Sequence, residues 1–220
     1  MINITISDEI KNNIPTMALG VIHGDVKVTE HNDKLWEEID KACEELKNKL
    51  EVKDIATLPN NKDARDGYRK CKKDPTRYRI ASEALIRRVV KDKGLYKVNN
   101  LVDINNLLSI TSYYPIGCFN MDKIEGDVVM RVGKKDEPYE GIGRGVLNIE
   151  FMPVVSDDLG AFGSPTSDSE RTKITKDTTK MLMTILAFGG TEGLKQWNEK
   201  AKELFEKYAD GENIETYIVE

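Results

Sequence analysis

Three groups of residues in this 220-residue chain have types and spacings that could do chemistry. The first lies in the run from Gly94 to Lys123, GLYKVNNLVDINNLLSITSYYPIGCFNMDK. There Asp103, Asn105 and Asn106 sit among aliphatic residues at helical spacing, and the helix breaks at Pro115-Ile116-Gly117. A buried amide without a hydrogen bond costs about 1–3 kcal/mol, so these groups either brace the fold or line a pocket. The second is Gly163 to Lys180, GSPTSDSERTKITKDTTK, read as the approach to a helix N-terminus. Backbone N–H groups and the helix dipole favour negative charge there, so the loop could hold a carboxylate or phosphate. Its Glu170 could instead receive an ammonium group or hydroxyl, or the whole loop could be a helix cap with Glu170 and Arg171 paired to neighbours. The third is the set Arg77, Arg79, Arg87 and Arg88 around a helix start at Ser82. Adjacent helical residues diverge by about 100°, so one of Arg87 and Arg88 braces the interior while the other meets solvent or phosphate.

Other candidates fall away on chemistry. Gly141-Ile142-Gly143-Arg144-Gly145 is spelled like a phosphate loop, but it leads into VLNIEF, a strand pattern, where a phosphate loop opens a helix. It reads as a turn or bulge. His23 and His31 are the two histidines, and neither has Cys or carboxylate neighbours at ligand spacing, so neither a metal nor another cofactor is expected. No Ser-His-Asp or Cys-His arrangement can be assigned. Hydrolysis here would use a bound water or groups of the substrate. Cys43, Cys71 and Cys118 are scattered and odd in number, which fits a reducing cytoplasm. The N-terminus has no basic, apolar signal pattern, and no apolar run approaches the roughly 20 residues a membrane helix needs, so no membrane partner is expected.

The net charge of −5 argues against a general nucleic-acid binder. The charge is uneven, however. Lys62 to Lys93 carries twelve Lys/Arg and five Asp/Glu, a local +7 on an otherwise acidic chain. Such a segment either holds phosphates or forms a solvated helix face.

The elements that must position these groups are legible in outline. Ile2, Ile4 and Ile6 alternate as a strand; MALGVI and VKV suggest a second strand or a hairpin about Gly24-Asp25. Leu35, Trp36, Ile39, Ala42, Cys43, Leu46 and Leu50 predict a helix over 33–50 capped by Asn32 or Asp33. Residues 51–80 read as an ordered loop with short helical turns. Helices are predicted for Ser82–Lys93, closed by Gly94, and for 100–112. Strands are predicted at 127–132, 146–151 and 154–156, a helix from Thr175 to about Phe188, an amphipathic helix at 192–208, and a last strand at 214–219 pairing with the first. The mixture is α+β in one domain, with strands and helices not in strict βαβ alternation.

These motifs resemble the editing region of the bacterial phenylalanyl-tRNA synthetase beta subunit, its third and fourth domains. They look still more like small free-standing proteins built from that region. The synthetase pattern G-x-R-P-x-N-N-x-V-D-V-T-N, then Q-P-x-H-A-F-D-x-D-K, is met here by GLYKVNNLVDINN and YPIGCFNMDK at the same spacing. The family's G-G-E…T-x-N-V-L-L corresponds to DSE…TTKMLM. The free-standing relatives' motifs are met by YRK at 68–70, DPTRYR at 74–79, ASEAL at 81–85 and SERTKIT at 169–175. The resemblance covers about residues 60–190, leaving 1–59 and 191–220 as scaffold extensions, and implies a layered β-sheet and helix sandwich like that of the editing region.

The resemblance implies a pocket for an amino-acid-like group lined by Asn105, Asn106, Gly117, Gly163, Ser164, Glu170 and Thr172. Arg79, Arg87, Arg88, Arg171 and Lys173 would be its phosphate or tRNA contacts. The synthetase region hydrolyses tyrosine wrongly attached to phenylalanine-specific tRNA. This chain would then bind aminoacyl-tRNA, or its aminoacyl end, and hydrolyse a mischarged ester. It is too short to be a complete aminoacyl-tRNA ligase. One departure bears on catalysis: the family's histidine is Gly117 and its glutamine Tyr114, which removes an imidazole that could position water. A non-catalytic module for tRNA or an amino acid, and a small-molecule enzyme reusing the pocket, stand as alternatives. The oligomeric state is left open.

Overall fold

The computed structural model describes residues 2–220. In chain order the first half contains β1 (Ile4–Ile6), α1 (Asp8–Asn13), β2 (Ala18–Asp25), α2 (Asp33–Lys49), α3 (Pro59–Lys70), α4 (Ala81–Val90) and α5 (Asn100–Ser112). The second half contains β3 (Ile116–Asn120), β4 (Val128–Val132), β5 (Glu140–Gly141), β6 (Gly145–Val146), β7 (Pro153–Asp157), β8 (Gly160–Gly163), β9 (Lys180–Ala187), α6 (Leu194–Tyr208) and β10 (Glu212–Val219). Helices and strands mix without strict alternation, as expected for an α+β fold.

Two four-stranded sheets, ordered β1-β4-β7-β8 and β10-β2-β9-β3, stack against each other. The second sheet is antiparallel throughout and is covered on its outer face by α2, α4, α5 and α6. Side chains on a strand alternate between faces, and β9 shows the consequence. Met181, Met183, Ile185 and Ala187 enter the helix-side core, while Leu182 and Leu186 enter the core between the sheets. The inter-sheet core also receives Ile4, Val128, Met130, Val154 and Phe162 from the first sheet, Ile10 from α1, and Ala64 and Tyr68 from α3.

The helix predicted from Thr175 to Phe188 is therefore a strand. Its seven residues from Met181 to Ala187, Thr184 included, are all buried, and a run dry on both faces has no period by which to tell strand from helix. Residues 51–80 contain a full helix, α3, begun by Pro59 at its first turn and passing through Gly67. A side chain at Gly67 would collide with the Phe188 ring, so this glycine serves close packing rather than a turn. The 146–151 strand is reduced to Gly145–Val146; residues 147–149 have no regular structure, and the chain turns at 150–151, where Phe151 adopts a left-handed backbone. The helix after Ser82 ends at Val90, since Asp92 already has φ of 56°. The last strand pairs with β2 rather than β1, and Val26–Val28 continue from β2 without forming a hairpin.

Candidate functional site

Helix α5 uses most of the polar residues of the first sequence group to hold itself in place. Asn99 caps it by accepting from the Val102 N–H at 2.9 Å. Asn100 accepts from Thr29 N–H and donates to the Lys27 and Tyr208 carbonyls. Buried Asp103 accepts from Trp36 Nε1 at 2.7 Å and from Val98 N–H at 3.2 Å. These groups brace the fold. Asn105 and Asn106 are half-buried on the same helix, and the Asn105 Oδ1 is enclosed with no partner among the described residues.

After the turn at Tyr113, which takes φ of 66°, the chain enters β3, an edge strand of its sheet. The loop from Gly163 to Lys173 runs along that edge. It does not lead into a helix; a short 3-10 turn at Glu170–Thr172 is followed by β9. Helix-dipole stabilisation of an anion is thus not available to it. Its shape comes from its own hydrogen bonds. Ser164 Oγ donates to the Ser167 carbonyl and accepts from the Thr166 and Ser167 N–H groups. Tyr139 donates to the Ser167 carbonyl at 2.6 Å, and Tyr68 and Thr166 share a hydrogen bond of 2.8 Å. The β5–β6 hairpin, which the Gly141–Gly145 run forms as a turn, is tied on through Ile142 N–H to the Asp168 carbonyl.

Where loop and edge strand meet, Asp168 leans over Gly117. Its Oδ2 accepts from the Cys118 N–H at 3.3 Å. A Cβ at Gly117 would lie 2.9 Å from its Oδ1 and would strike the Phe119 ring. Gly163 is closed to a side chain by that same ring, which packs edge-on against Phe162 at 4.8 Å. Two glycines therefore accommodate one aromatic side chain, which covers the bare strand in return. Asp168 keeps part of its surface, yet burial pushes its pKa up to about 8, opposed by the Cys118 N–H. Cys118 itself is buried, and its thiol is pushed well up by burial and then by Asp168.

Glu170 and Arg171 border a groove of about 650 Å³ with Pro138, Tyr139, Val146 and Ser169. Neither Asn105 nor Asn106 is part of its lining. Glu170 pairs with Lys173 at 2.7 Å, and that hydrogen bond holds its carboxyl below the usual range. Arg171 is engaged with Asp157 at 2.8 and 3.0 Å and with the Lys123 and Gly160 carbonyls. Thr172 is fully buried, and its Oγ1 has no partner among the described residues. Arg79 is exposed. Arg88 stacks on Tyr96 and donates to the Gly94 and Lys93 carbonyls, while the Arg87 Nε is enclosed with no partner among the described residues. His23 lies by Glu215 and His31 by Asp33, and no group of three metal-type ligands occurs among the described residues.

A family model described as the B3/4 domain matches residues 63–219. The chain belongs to the B3/4 domain family. It is similar to the phenylalanine–tRNA ligase beta subunit of Fusobacterium nucleatum, at 29% identity over 103 residues, covering 45% of this chain and 13% of that protein. It is also similar to the beta subunits of Bartonella henselae, 29% identical over 41% of this chain and 11% of that one, and Bartonella quintana, 32% over 30% and 8%. The chain thus spans a small part of the length of the curated relatives it matches. Among solved structures it is similar to an N-terminal fragment of the phenylalanyl-tRNA synthetase beta subunit from Pyrococcus horikoshii, with a TM-score of 0.48 and 11% identity over 99% of this chain and 50% of that one. Within this B3/4 domain, Asp168 and Tyr139 are the neighbours that spacing did not single out. The signal for Asp168 was its place two residues before Glu170, in a loop whose partner strand carries a bare glycine.

Proposed function

We propose that this B3/4 domain binds the aminoacyl end of a tRNA, or a small aminoacyl ester, at the loop from Gly163 to Lys173, and hydrolyses the mischarged ester in the cytoplasm. The observation that carries the reading is the family match over 63–219, which includes this loop, β3 and the basic segment. The curated proteins it is similar to are phenylalanine–tRNA ligase beta subunits. Glu170 orients the amino acid from the groove wall. The loop 163–173 supplies Ser164 and fixed backbone groups. The +7 segment, which forms α3 and α4, meets phosphates through Arg79, Arg87 and Arg88. A bound water, assisted by the terminal ribose hydroxyl, attacks the ester carbonyl. The water oxygen bonds to the carbonyl carbon, the ester C–O bond breaks, its electron pair and one proton of the water pass to the ribose oxygen, and the amino acid leaves as the acid.

A second reading, binding without turnover, is favoured by one observation: Gly117 has no side chain, and the space above it is occupied by Asp168 and Phe119. Deacylation of a panel of mischarged tRNAs separates the two. Hydrolysis above background that falls about tenfold or more in Glu170→Ala is expected, the loss typical of one transition-state contact. Binding without hydrolysis supports the second reading, and neither binding nor hydrolysis of any aminoacyl-tRNA overturns both.

A further inference from the structure

We propose that Asp168 is the anchor for the ammonium group of the ligand, so that the site takes a free α-amine and rejects an acylated one. This rests on the aminoacyl reading and sharpens it. The other enclosed acids around the loop hold a cation, and so does the partly exposed Glu170. Glu83 pairs with Arg65 at 3.1 Å, Glu137 with Arg131 at 2.5 Å, Asp157 with Arg171 at 2.8 Å and Glu170 with Lys173 at 2.7 Å. Asp168 has no cation among the described residues. Buried Asp103 also lacks one, but each of its oxygens accepts an N–H. In Asp168 one oxygen accepts from Cys118, and Oδ1 carries no hydrogen bond among the described residues although the residue reaches the surface. A carboxylate so placed is stabilised by a cation with N–H donors, and an enclosed acid ordinarily has one.

The surroundings select the kind of cation. One carboxylate beside a backbone N–H, a phenol and an aromatic ring is a poor cage for a metal ion, which needs several oxygen ligands. It suits a single ammonium. The groups facing Asp168 are Gly117 and the Cys118 N–H on β3, the Phe119 ring, and Tyr139 from the segment preceding β5. The titratable ones are the Cys118 thiol and the Tyr139 phenol, both pushed up by burial first and by Asp168 as well. They stay neutral, and Arg171, the cation acting on Tyr139, is paired with Asp157. Since burial raises the free carboxyl to about 8, an ammonium binding at neutral pH displaces its proton.

The test uses the full chain and a panel of L-amino-acid amides with uncharged side chains, hydrolysis-resistant stand-ins for the ester. Each is paired with its N-acetyl counterpart, and spermidine serves as a non-aminoacyl amine. Calorimetry in buffers of different ionisation enthalpy reads affinity and proton release together. At least one amide should bind about ten- to a hundredfold more tightly than its N-acetyl form, with proton release near neutral pH. Asp168→Asn, which keeps an acceptor for Cys118, should abolish both the preference and the release; Asp168→Ser should do the same. If amides and N-acetyl amides bind alike, or if both variants keep the preference, the assignment of Asp168 fails while the aminoacyl pocket stands. If no panel member binds, the aminoacyl reading itself fails, and spermidine binding alone would overturn the assignment to an aminoacyl group.

Discussion

At the scale of single residues, an acid without a cation has a consequence for stability that needs no ligand. The Asp168 carboxyl sits near 8 in the folded protein against an ordinary value of 3.8. Below pH 4 both folded and unfolded chains are protonated there, and the residue contributes nothing. As pH rises the unfolded chain ionises first, so the folded state loses stability progressively up to about pH 8 and not beyond. Urea unfolding of the protein and of Asp168→Asn should therefore diverge between about pH 4 and 8, with the variant gaining of the order of a few kcal/mol at the upper end. Parallel profiles across that window would show that the carboxyl is solvated in the folded state. Asp103 reports how much of this was legible. The sequence marked it as a polar group needing partners, and it found Trp36 and Val98; which residues would supply them depended on α2 packing beside α5.

At the scale of elements, β9 is decisive, because it lies between β2 and β3 and between two cores. Thr184 is its polar interruption. It stands opposite Gly117 on β3, and its Oγ1 is enclosed with no partner among the described residues. A buried hydroxyl without a hydrogen bond costs about 1–3 kcal/mol. Thr184→Val keeps the branched shape and removes the hydroxyl. It should raise stability by about 1 kcal/mol in urea unfolding. Destabilisation of that size would mean the hydroxyl has a partner in solution, with a water above Gly117 the first place to look. The same strand shows why the helix prediction for 175–188 failed. Period separates helix from strand when one face is wet, and neither face of β9 is.

At the scale of the whole molecule, the segments outside the motif-bearing stretch supply structure the site depends on. Strand β10 closes one edge of the sheet by pairing with β2, and buries Ile214. β2 in turn pairs with β9, which carries β3 and with it Gly117. A chain ending at Ala209 should lose cooperative thermal unfolding, since it bares the β2 edge and the inner face of α6 together. A sharp transition within a few degrees of the full chain would show that β10 is dispensable. What the sequence determined by itself was local: the Asn32 cap and apolar stripe of α2, the apolar stripe of α6, the turn at Gly141–Gly145, and the motifs that carried the family. Local chemistry decides these, because a cap or a turn is completed within a few residues. Tertiary structure alone decided that 180–187 is a strand, that 59–70 is a full helix, and that Asp168 lies over Gly117. Those outcomes depend on burial from both sides and on contacts between residues about fifty positions apart, and no spacing along the chain encodes either.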